Sequence, residues 1–106
     1  IDGPMTHDEE VLRMKELSQI RQELDAVDRQ IVSLFETRMT LARDVATYKM
    51  AHDMPVLDRS REEQVLANRC ALLQDSYWSP FVRRLYEEIM ALSRQEQENM
   101  LREAGK

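Results

Sequence analysis

An apolar side chain recurs every three or four residues along the first half of this 106-residue chain. The series consists of Leu17, Ile20, Leu24, Val27, Ile31, Leu34, Leu41, Val45 and Tyr48. Such spacing is typical of a helix that buries one stripe against partner helices. Arg38 interrupts the series between Leu34 and Leu41. Because a guanidinium stays protonated and is costly to bury without an anion, Arg38 is expected to meet a carboxylate of either the protein or a ligand.

Glycine and proline are scarce inside the sequence. Both glycines lie near the ends, at positions 3 and 105, and the three prolines stand at positions 4, 55 and 80. Together with the many Leu, Met, Glu, Gln and Arg residues, this composition predicts an all-α fold. The length leaves room for one core, so residues 8–106 are expected to form a single domain after a vector-derived or disordered N-terminus over residues 1–7.

The apolar stripe predicts a first helix of unusual length. It should begin at Asp8 or Glu9 and end at about His52, because Pro55 disfavours helix in the residue before it. Such a helix is roughly 60 Å long, about twice the diameter of a small domain. Two shorter helices cannot cover it, so we predict an intertwined homodimer in which the long helices of two copies pack antiparallel.

Two shorter helices are predicted after the proline, which makes three helices per chain. Ser60 and Glu63 have the spacing of a capping box for a helix over about 60–74. Ser79 and Pro80 are suited to be the N-cap and the first residue of the last helix, over about 80–102.

Several classes of function are disfavoured by charge and composition. The net charge is −5 and the basic residues are interspersed with acidic ones, which argues against a nucleic-acid partner. No apolar run suits a membrane span or a signal peptide, so we expect a cytoplasmic protein without a membrane partner. Cys70, His7 and His52 lack neighbours at metal-ligand spacing, and no glycine-rich cofactor loop occurs. We therefore expect neither metal nor cofactor.

Polar residues are spaced to meet the face of the first helix that carries Arg38. Lys49 follows Arg38 by eleven residues, which is three turns further and nearly the same direction around the axis. The stripe between them contains the small Ala42, which leaves room for a ligand. Lys49 has a simpler explanation as well, because a cation near a helix C-terminus is favoured by the helix dipole whatever its function.

Further polar candidates lie on the two shorter helices and at the start of the long one. Asp58, Arg61 and Glu62 open the second helix, and Ser93 and Gln97 share one face of the third. Arg21 precedes Arg38 by 17 residues, about 25 Å along the same helix, so one small ligand cannot reach both within a chain. An antiparallel dimer could bring Arg21 of the other copy to the Arg38 pocket. The alternative is a salt bridge from Arg21 to Asp25 on the same helix.

Taken in order, five segments resemble the all-helical (AroQ-class) chorismate mutases. They are IRQELDAVD at 20–28, LFETR at 34–38, YK at 48–49, PVLDRSRE at 55–62 and SRQEQ at 93–97. The resemblance implies a homodimer that converts chorismate to prephenate on the shikimate route to aromatic amino acids. It implies no cofactor, because this Claisen rearrangement is intramolecular.

The same resemblance implies a site of eight residues. They are Arg38, Lys49, Asp58, Arg61, Glu62, Ser93 and Gln97 of one chain and Arg21 of the other. The two site arginines 21 and 38 would bind the two substrate carboxylates, with Ser93 assisting one of them. Lys49 and Gln97 would donate hydrogen bonds to the ether oxygen of the breaking bond. Glu62, with Asp58, would accept a hydrogen bond from the substrate hydroxyl, while Arg61 would line the pocket.

Two other functions stay open on the sequence. An isochorismate-pyruvate lyase would share the fold and a similar dianionic substrate, but such proteins lack the Asp-x-x-Arg-Glu run that stands here at 58–62. A non-enzymatic helical dimerisation module would explain the apolar stripe, but it leaves Arg38 as an ion-paired core residue.

Overall fold

The computed structural model describes residues 6–105, except for the side chains of residues 12 and 13. The regular secondary structure of the described residues consists of helices, without strands, which confirms the all-α prediction. Its elements are α1 (His7–Arg13), α2 (Leu17–Ala51), α3 (Arg59–Ala71), a short 3-10 helix (Ser76–Trp78) and α4 (Ser79–Ala104). None of the described helices is long and apolar enough to cross a membrane.

The predicted first helix is in fact two helices, so the prediction of three helices per chain is wrong for the described residues. The Thr6 side chain caps α1 by accepting a hydrogen bond from the Glu9 amide at 3.2 Å. At Met14 the backbone becomes extended, which ends α1 after seven residues. Lys15 then pairs with Glu23, at 2.9 Å, one side chain lying before α2 and the other within it. No proline or glycine marks this break, so its position could not be predicted from breaker residues.

The described part of the chain also begins earlier than the predicted helix. Thr6 and His7 belong to the cap and first turn of α1, whereas residues 1–5 of the expected 1–7 remnant lie outside the described residues. The single domain over residues 8–106 stays a prediction.

The end of α2 matches the position expected from Pro55. The Met54 amide donates to the Lys49 carbonyl at 2.8 Å, and Asp53 between them has a positive φ of 52°. This six-to-one hydrogen bond around a left-handed residue is the Schellman arrangement, in which glycine is the usual occupant. It ends α2 and places Lys49 in the last turn of the helix.

The start of α3 differs from the predicted capping box. Asp58, not Ser60, is the N-cap, and its Oδ1 accepts a hydrogen bond from the Arg61 amide at 3.0 Å. Because the helix starts at Arg59, Ser60 already lies within its first turn. The helix also ends earlier than predicted, at Ala71.

The start of α4 corrects a second capping prediction. Trp78 occupies the N-cap without a side-chain hydrogen bond, so Ser79 is the first helical residue rather than the cap. Pro80 stands in the first turn, as expected of a residue without an amide proton. Before α4, Asp75 caps the short 3-10 helix, because its Oδ1 accepts a hydrogen bond from the Tyr77 amide at 3.0 Å.

By its internal contacts the chain divides into two compact units, Ile1–Phe35 and Glu36–Lys106. The second unit has a small core in which Val65 and Leu66 of α3 pack with Met90 of α4, with Tyr86 against them. On the part of α2 that belongs to this unit, Ala42 and Ala46 are buried. Ala42 also lines the pocket described next, where its small side chain leaves room.

The apolar stripe of α2 is largely uncovered within the chain. In the first unit Leu24, Val27 and Ile31 are each more than half exposed. In the second unit Leu41 and Tyr48 are exposed to a similar degree. An exposed apolar stripe is unusual, because the helices of soluble proteins normally bury their apolar face.

Candidate active site

One pocket of the second unit, about 310 Å³ in volume, lies among α2, the loop after it, α3 and α4. It is lined by Arg38, Leu41, Ala42, Val45, Lys49, Val56, Asp58, Arg61, Glu62, Val65, Met90, Ser93, Arg94 and Gln97. Its lining combines apolar side chains with charged and polar ones from α2, α3 and α4. Sites for small polar molecules commonly have this composition.

Seven of the eight site residues predicted from the sequence line this pocket. They are Arg38, Lys49, Asp58, Arg61, Glu62, Ser93 and Gln97. The eighth, Arg21, is an exposed residue of α2 in the first unit and does not line it. The supply of Arg21 by a second copy, and the catalytic role of each residue, stay predictions.

Arg38 is directed into the pocket by a hydrogen bond to α4. Its Nη1 donates to the Ser93 Oγ at 3.0 Å, and that hydroxyl donates to the Ile89 carbonyl at 3.0 Å. Among the described residues no carboxylate forms an ion pair with Arg38. The guanidinium is therefore oriented by a neutral partner and retains its capacity to bind an anion.

The surroundings of Arg38 disfavour its charge. Burial lowers the pKa of Arg38 from its ordinary value, and Arg69 and Arg61 lower it further, while Tyr86 raises it. The Tyr86 ring also lies 5.8 Å from the Arg38 guanidinium carbon and 5.9 Å from that of Arg69, which are cation–π distances. Arginine stays protonated in any such setting, so an incoming anion would relieve unfavourable charge.

Lys49 is held at the other end of the α2 face. Its Nζ donates to the Val56 carbonyl at 2.7 Å, in the loop that connects α2 with α3. One acceptor leaves two further N–H donors on the ammonium group. The contact fixes the position of Lys49 without neutralising its charge.

The first turn of α3 forms one wall of the pocket. Asp58 is occupied as the helix cap through its hydrogen bond to the Arg61 amide. The Arg61 side chain donates from Nη1 to Gln64 Oε1 at 2.9 Å, so it too lacks a carboxylate partner among the described residues. Because Asp58 fixes the start of α3, it also positions Arg61 and Glu62 at the pocket wall.

Glu62 has a partner that sequence reasoning missed. Both of its carboxylate oxygens accept hydrogen bonds from Nη1 of Arg94, which lies 32 positions later on α4 and also lines the pocket. Both side chains are mostly buried, with 24% of Glu62 and 31% of Arg94 exposed. The sequence offered one signal: Arg94 lies three residues before Gln97, a spacing that puts both on neighbouring positions of one helix face.

Ser93 and Gln97 are the buried polar residues of α4. Only 7% of Ser93 and 6% of Gln97 is exposed, which is unusual for these residue types. The Gln97 Oε1 is buried without a hydrogen-bond partner among the described residues. Because the two end atoms of an amide side chain are assigned from their hydrogen bonds, either the oxygen or the nitrogen could face the pocket. An unpartnered buried amide is costly unless a bound molecule satisfies it.

The electrostatics of the pocket oppose those of the whole chain. Its charged lining consists of the cations Arg38, Lys49, Arg61 and Arg94 and the anions Asp58 and Glu62. This surplus of two positive charges lies within a chain of net charge −5. The arrangement is suited to a small dianion. Among the described residues no cluster of three or more His, Cys, Asp or Glu side chains could hold a metal ion.

Comparison with known proteins adds independent information. Residues 20–98 match the family described as chorismate mutase type II. A 4-amino-4-deoxychorismate mutase from Streptomyces pristinaespiralis is 32% identical over 75 residues, which are 70% of this chain and 58% of that protein. This chain therefore spans little more than half the length of that relative.

A solved structure is similar as well. It is a conserved hypothetical protein from Pyrococcus furiosus, 32% identical to this chain, with a TM-score of 0.63. The match covers 76% of this chain and 93% of that one.

Proposed function

This chain belongs to the chorismate mutase type II family, and we propose that it catalyses the rearrangement of chorismate to prephenate. The observation that carries the proposal is the convergence of seven predicted site residues on one pocket with a surplus of two positive charges. Chorismate bears two carboxylates and no other ionised group. Charge complementarity between the pocket and this dianion supports the assignment.

The first task of the protein would be to hold the substrate in its reactive shape. A Claisen rearrangement forms a carbon–carbon bond while the ether carbon–oxygen bond breaks, and it needs a chair-like conformer that is scarce in solution. Arg38, oriented by Ser93, would bind one carboxylate by two parallel hydrogen bonds. Fixing the two reacting ends close together removes much of the entropic part of the barrier.

The second task would be to stabilise the charge that develops on the ether oxygen. Lys49 retains N–H donors beyond the one bound to Val56, and the buried end of the Gln97 amide has no partner among the described residues. With its N–H toward the ligand, Gln97 could donate to the ether oxygen together with Lys49. Donors of this kind lower a barrier by about 3 kcal/mol each in other enzymes. Glu62 would accept a hydrogen bond from the substrate hydroxyl.

We also propose that residues 8–106 act as one domain within a homodimer. The exposed stripe of α2, with Leu24, Val27 and Ile31, is the surface a second copy would cover. An antiparallel arrangement would bring Arg21 of the second copy to the remaining substrate carboxylate. The site would then be complete only in the dimer.

The relative from Streptomyces acts, by its name, on the amino analogue of chorismate, so 4-amino-4-deoxychorismate is a second candidate substrate. The two substrates differ in one substituent, a hydroxyl or an amine, and both could undergo the same rearrangement. Isochorismate is a third candidate, in a lyase reaction that releases pyruvate.

A direct assay separates these functions. The purified full chain is incubated separately with chorismate, 4-amino-4-deoxychorismate and isochorismate, and products are identified by chromatography. We expect prephenate from chorismate at a rate well above the uncatalysed one. Arg84→Ala provides the control, because Arg84 is an exposed residue of α4 that does not line the site. Salicylate and pyruvate from isochorismate would identify a lyase, and inertness toward all three would favour a dimerisation module.

A further inference from the structure

The Arg94–Glu62 pair gives the pocket a property that neither residue has alone. Glu62 opens α3 and Arg94 lies on α4, and the Arg94 Nη1 donates to both carboxylate oxygens. Both side chains line the pocket and are mostly buried. At this wall a ligand therefore meets a carboxylate whose charge is already compensated, because the partner cation lies within hydrogen-bond distance.

A compensated carboxylate still accepts a hydrogen bond from a neutral donor. Each oxygen of an ionised carboxylate has two acceptor positions, and Arg94 uses one on each oxygen of Glu62. A hydroxyl group can occupy one of the remaining positions without bringing charge into the site. The pair thus suits a ligand that carries a hydroxyl here.

A protonated amine at the same place would be treated differently. Aliphatic amines are cationic at neutral pH, so an amine would be attracted by Glu62 and repelled by Arg94. The other cations of the pocket, Arg38, Lys49 and Arg61, add to the repulsion. Among the described residues that line the pocket, Asp58 alone offers a second negative charge, and it is already engaged as the α3 cap. The interactions of an ammonium group with this wall therefore offset little of the free energy that the group loses when its hydration is removed.

We propose that Arg94 is a specificity-determining residue, which compensates Glu62 and so selects the hydroxyl-bearing substrate over its amino analogue. Arg94 acts through Glu62 as a positioning residue and need not contact the substrate. The inference rests on the proposed function, in which Glu62 accepts a hydrogen bond from the substituent that distinguishes chorismate from 4-amino-4-deoxychorismate.

The test compares kcat/KM for these two substrates at neutral pH in the wild type and in Arg94→Gln. We expect the wild type to prefer chorismate. In Arg94→Gln the preference ratio should shift toward the amino analogue by about tenfold or more, because an unpaired Glu62 carboxylate attracts an ammonium group. Arg94→Lys keeps the charge and should retain the wild-type ratio. Loss of helicity cannot produce this pattern, because it would lower both activities together.

Two more variants keep the test decisive. Glu62→Gln leaves Arg94 uncompensated, so the ratio should shift further toward chorismate even as overall activity falls. Arg83→Gln is the matched control: Arg83 also bridges α3 and α4, at 3.8 Å from Glu63, but lies outside this pocket. Its ratio should equal that of the wild type.

The outcomes separate this inference from the proposed function. A wild type that converts neither substrate overturns the proposed function. A wild type that converts chorismate, but whose ratio stays unchanged in Arg94→Gln, overturns the role of Arg94 alone. A wild type that prefers the amino analogue also overturns that role.

Discussion

The Nη1 of Arg38 donates a hydrogen bond to the Oγ of Ser93 across 55 positions of the chain, at 3.0 Å. This contact joins α2 to α4 on the wall of the pocket and aims a cation at its interior. Since Ser93 is neutral, the bond orients the guanidinium without compensating its charge. The same principle holds for Lys49, which is fixed by the Val56 carbonyl.

Removing either cation should therefore abolish most activity without unfolding the protein. We expect Arg38→Ala and Lys49→Ala each to lower kcat/KM for chorismate by about a hundredfold or more, because each contributes charge stabilisation rather than core packing. Circular dichroism should show unchanged helicity, and Arg84→Ala should retain full activity. Near-normal turnover in either variant would exclude the role proposed for that residue.

Gln97→Glu should convert the enzyme into one that works only at acidic pH. A carboxyl group donates a hydrogen bond only when protonated, and burial at this site should raise its pKa above the ordinary value of about 4.3. Activity of the variant should rise as pH falls through that pKa, whereas the wild type shows no such rise. The check is a pH–rate profile of both proteins, and a flat profile for the variant would contradict contact between Gln97 and the ether oxygen.

Mixed dimers should reveal whether Arg21 is supplied in trans. Chains with Arg21→Ala and Arg38→Ala are coexpressed with different affinity tags, and only mixed dimers are purified. If the site is shared, one of the two sites carries both changes and the other carries neither, so about half of the wild-type activity should return. Mixed dimers no more active than the parental variants would place both arginines in one chain, and a monomeric wild type would contradict the dimer itself.

Asp53→Gly should stabilise the protein. Asp53 has a φ of 52° at the end of α2, a region that costs a residue with a Cβ about 1 kcal/mol. Glycine adopts this conformation freely, which should offset its greater entropy in the unfolded state. We expect a small rise in the melting temperature, whereas Asp53→Val should lower it, because branching at Cβ makes positive φ less favourable. The opposite order in thermal unfolding would contradict the Schellman geometry.

The ion pair between Arg43 and Glu96 should contribute to stability only above the titration range of the carboxyl. The Arg43 side chain donates to Glu96 at 2.9 Å, which lowers the pKa of Glu96, and the Asn99 side chain lowers it further. A lowered pKa means that the contribution is present above the unfolded-state value and is lost as pH falls through the folded-state one.

Arg43→Gln should therefore be less stable than the wild type at neutral pH and equally stable in acid. Urea unfolding at both pH values measures the difference. Arg84→Gln, which removes an arginine without an ion pair among the described residues, should show no pH-dependent difference. A difference that persists unchanged in acid would contradict the pair.

Much of the fold could be predicted from local sequence patterns, but only some of the helix boundaries could. Pro55 marked the end of α2 correctly, because a proline restricts the residue before it whatever surrounds it. The break at Met14 carried no such signal, and Ser60 resembled a cap although Asp58 serves as one. Serine and aspartate can both cap a helix, and the tertiary position of the loop after α2 decides between Ser60 and Asp58.

The sequence by itself determined the helical class, because apolar periodicity is a local property, and its resemblance to the all-helical chorismate mutases indicated the group of residues now found around one pocket. Only the tertiary structure decided that Arg94 joins them and compensates Glu62. The sequence indicated only that Arg94 lies near Gln97 on one helix face, and it gave no sign of a pairing with Glu62. Its pairing depends on the rotation of α3 and α4 about their own axes and on the distance between them, which the packing of Val65, Leu66 and Met90 sets.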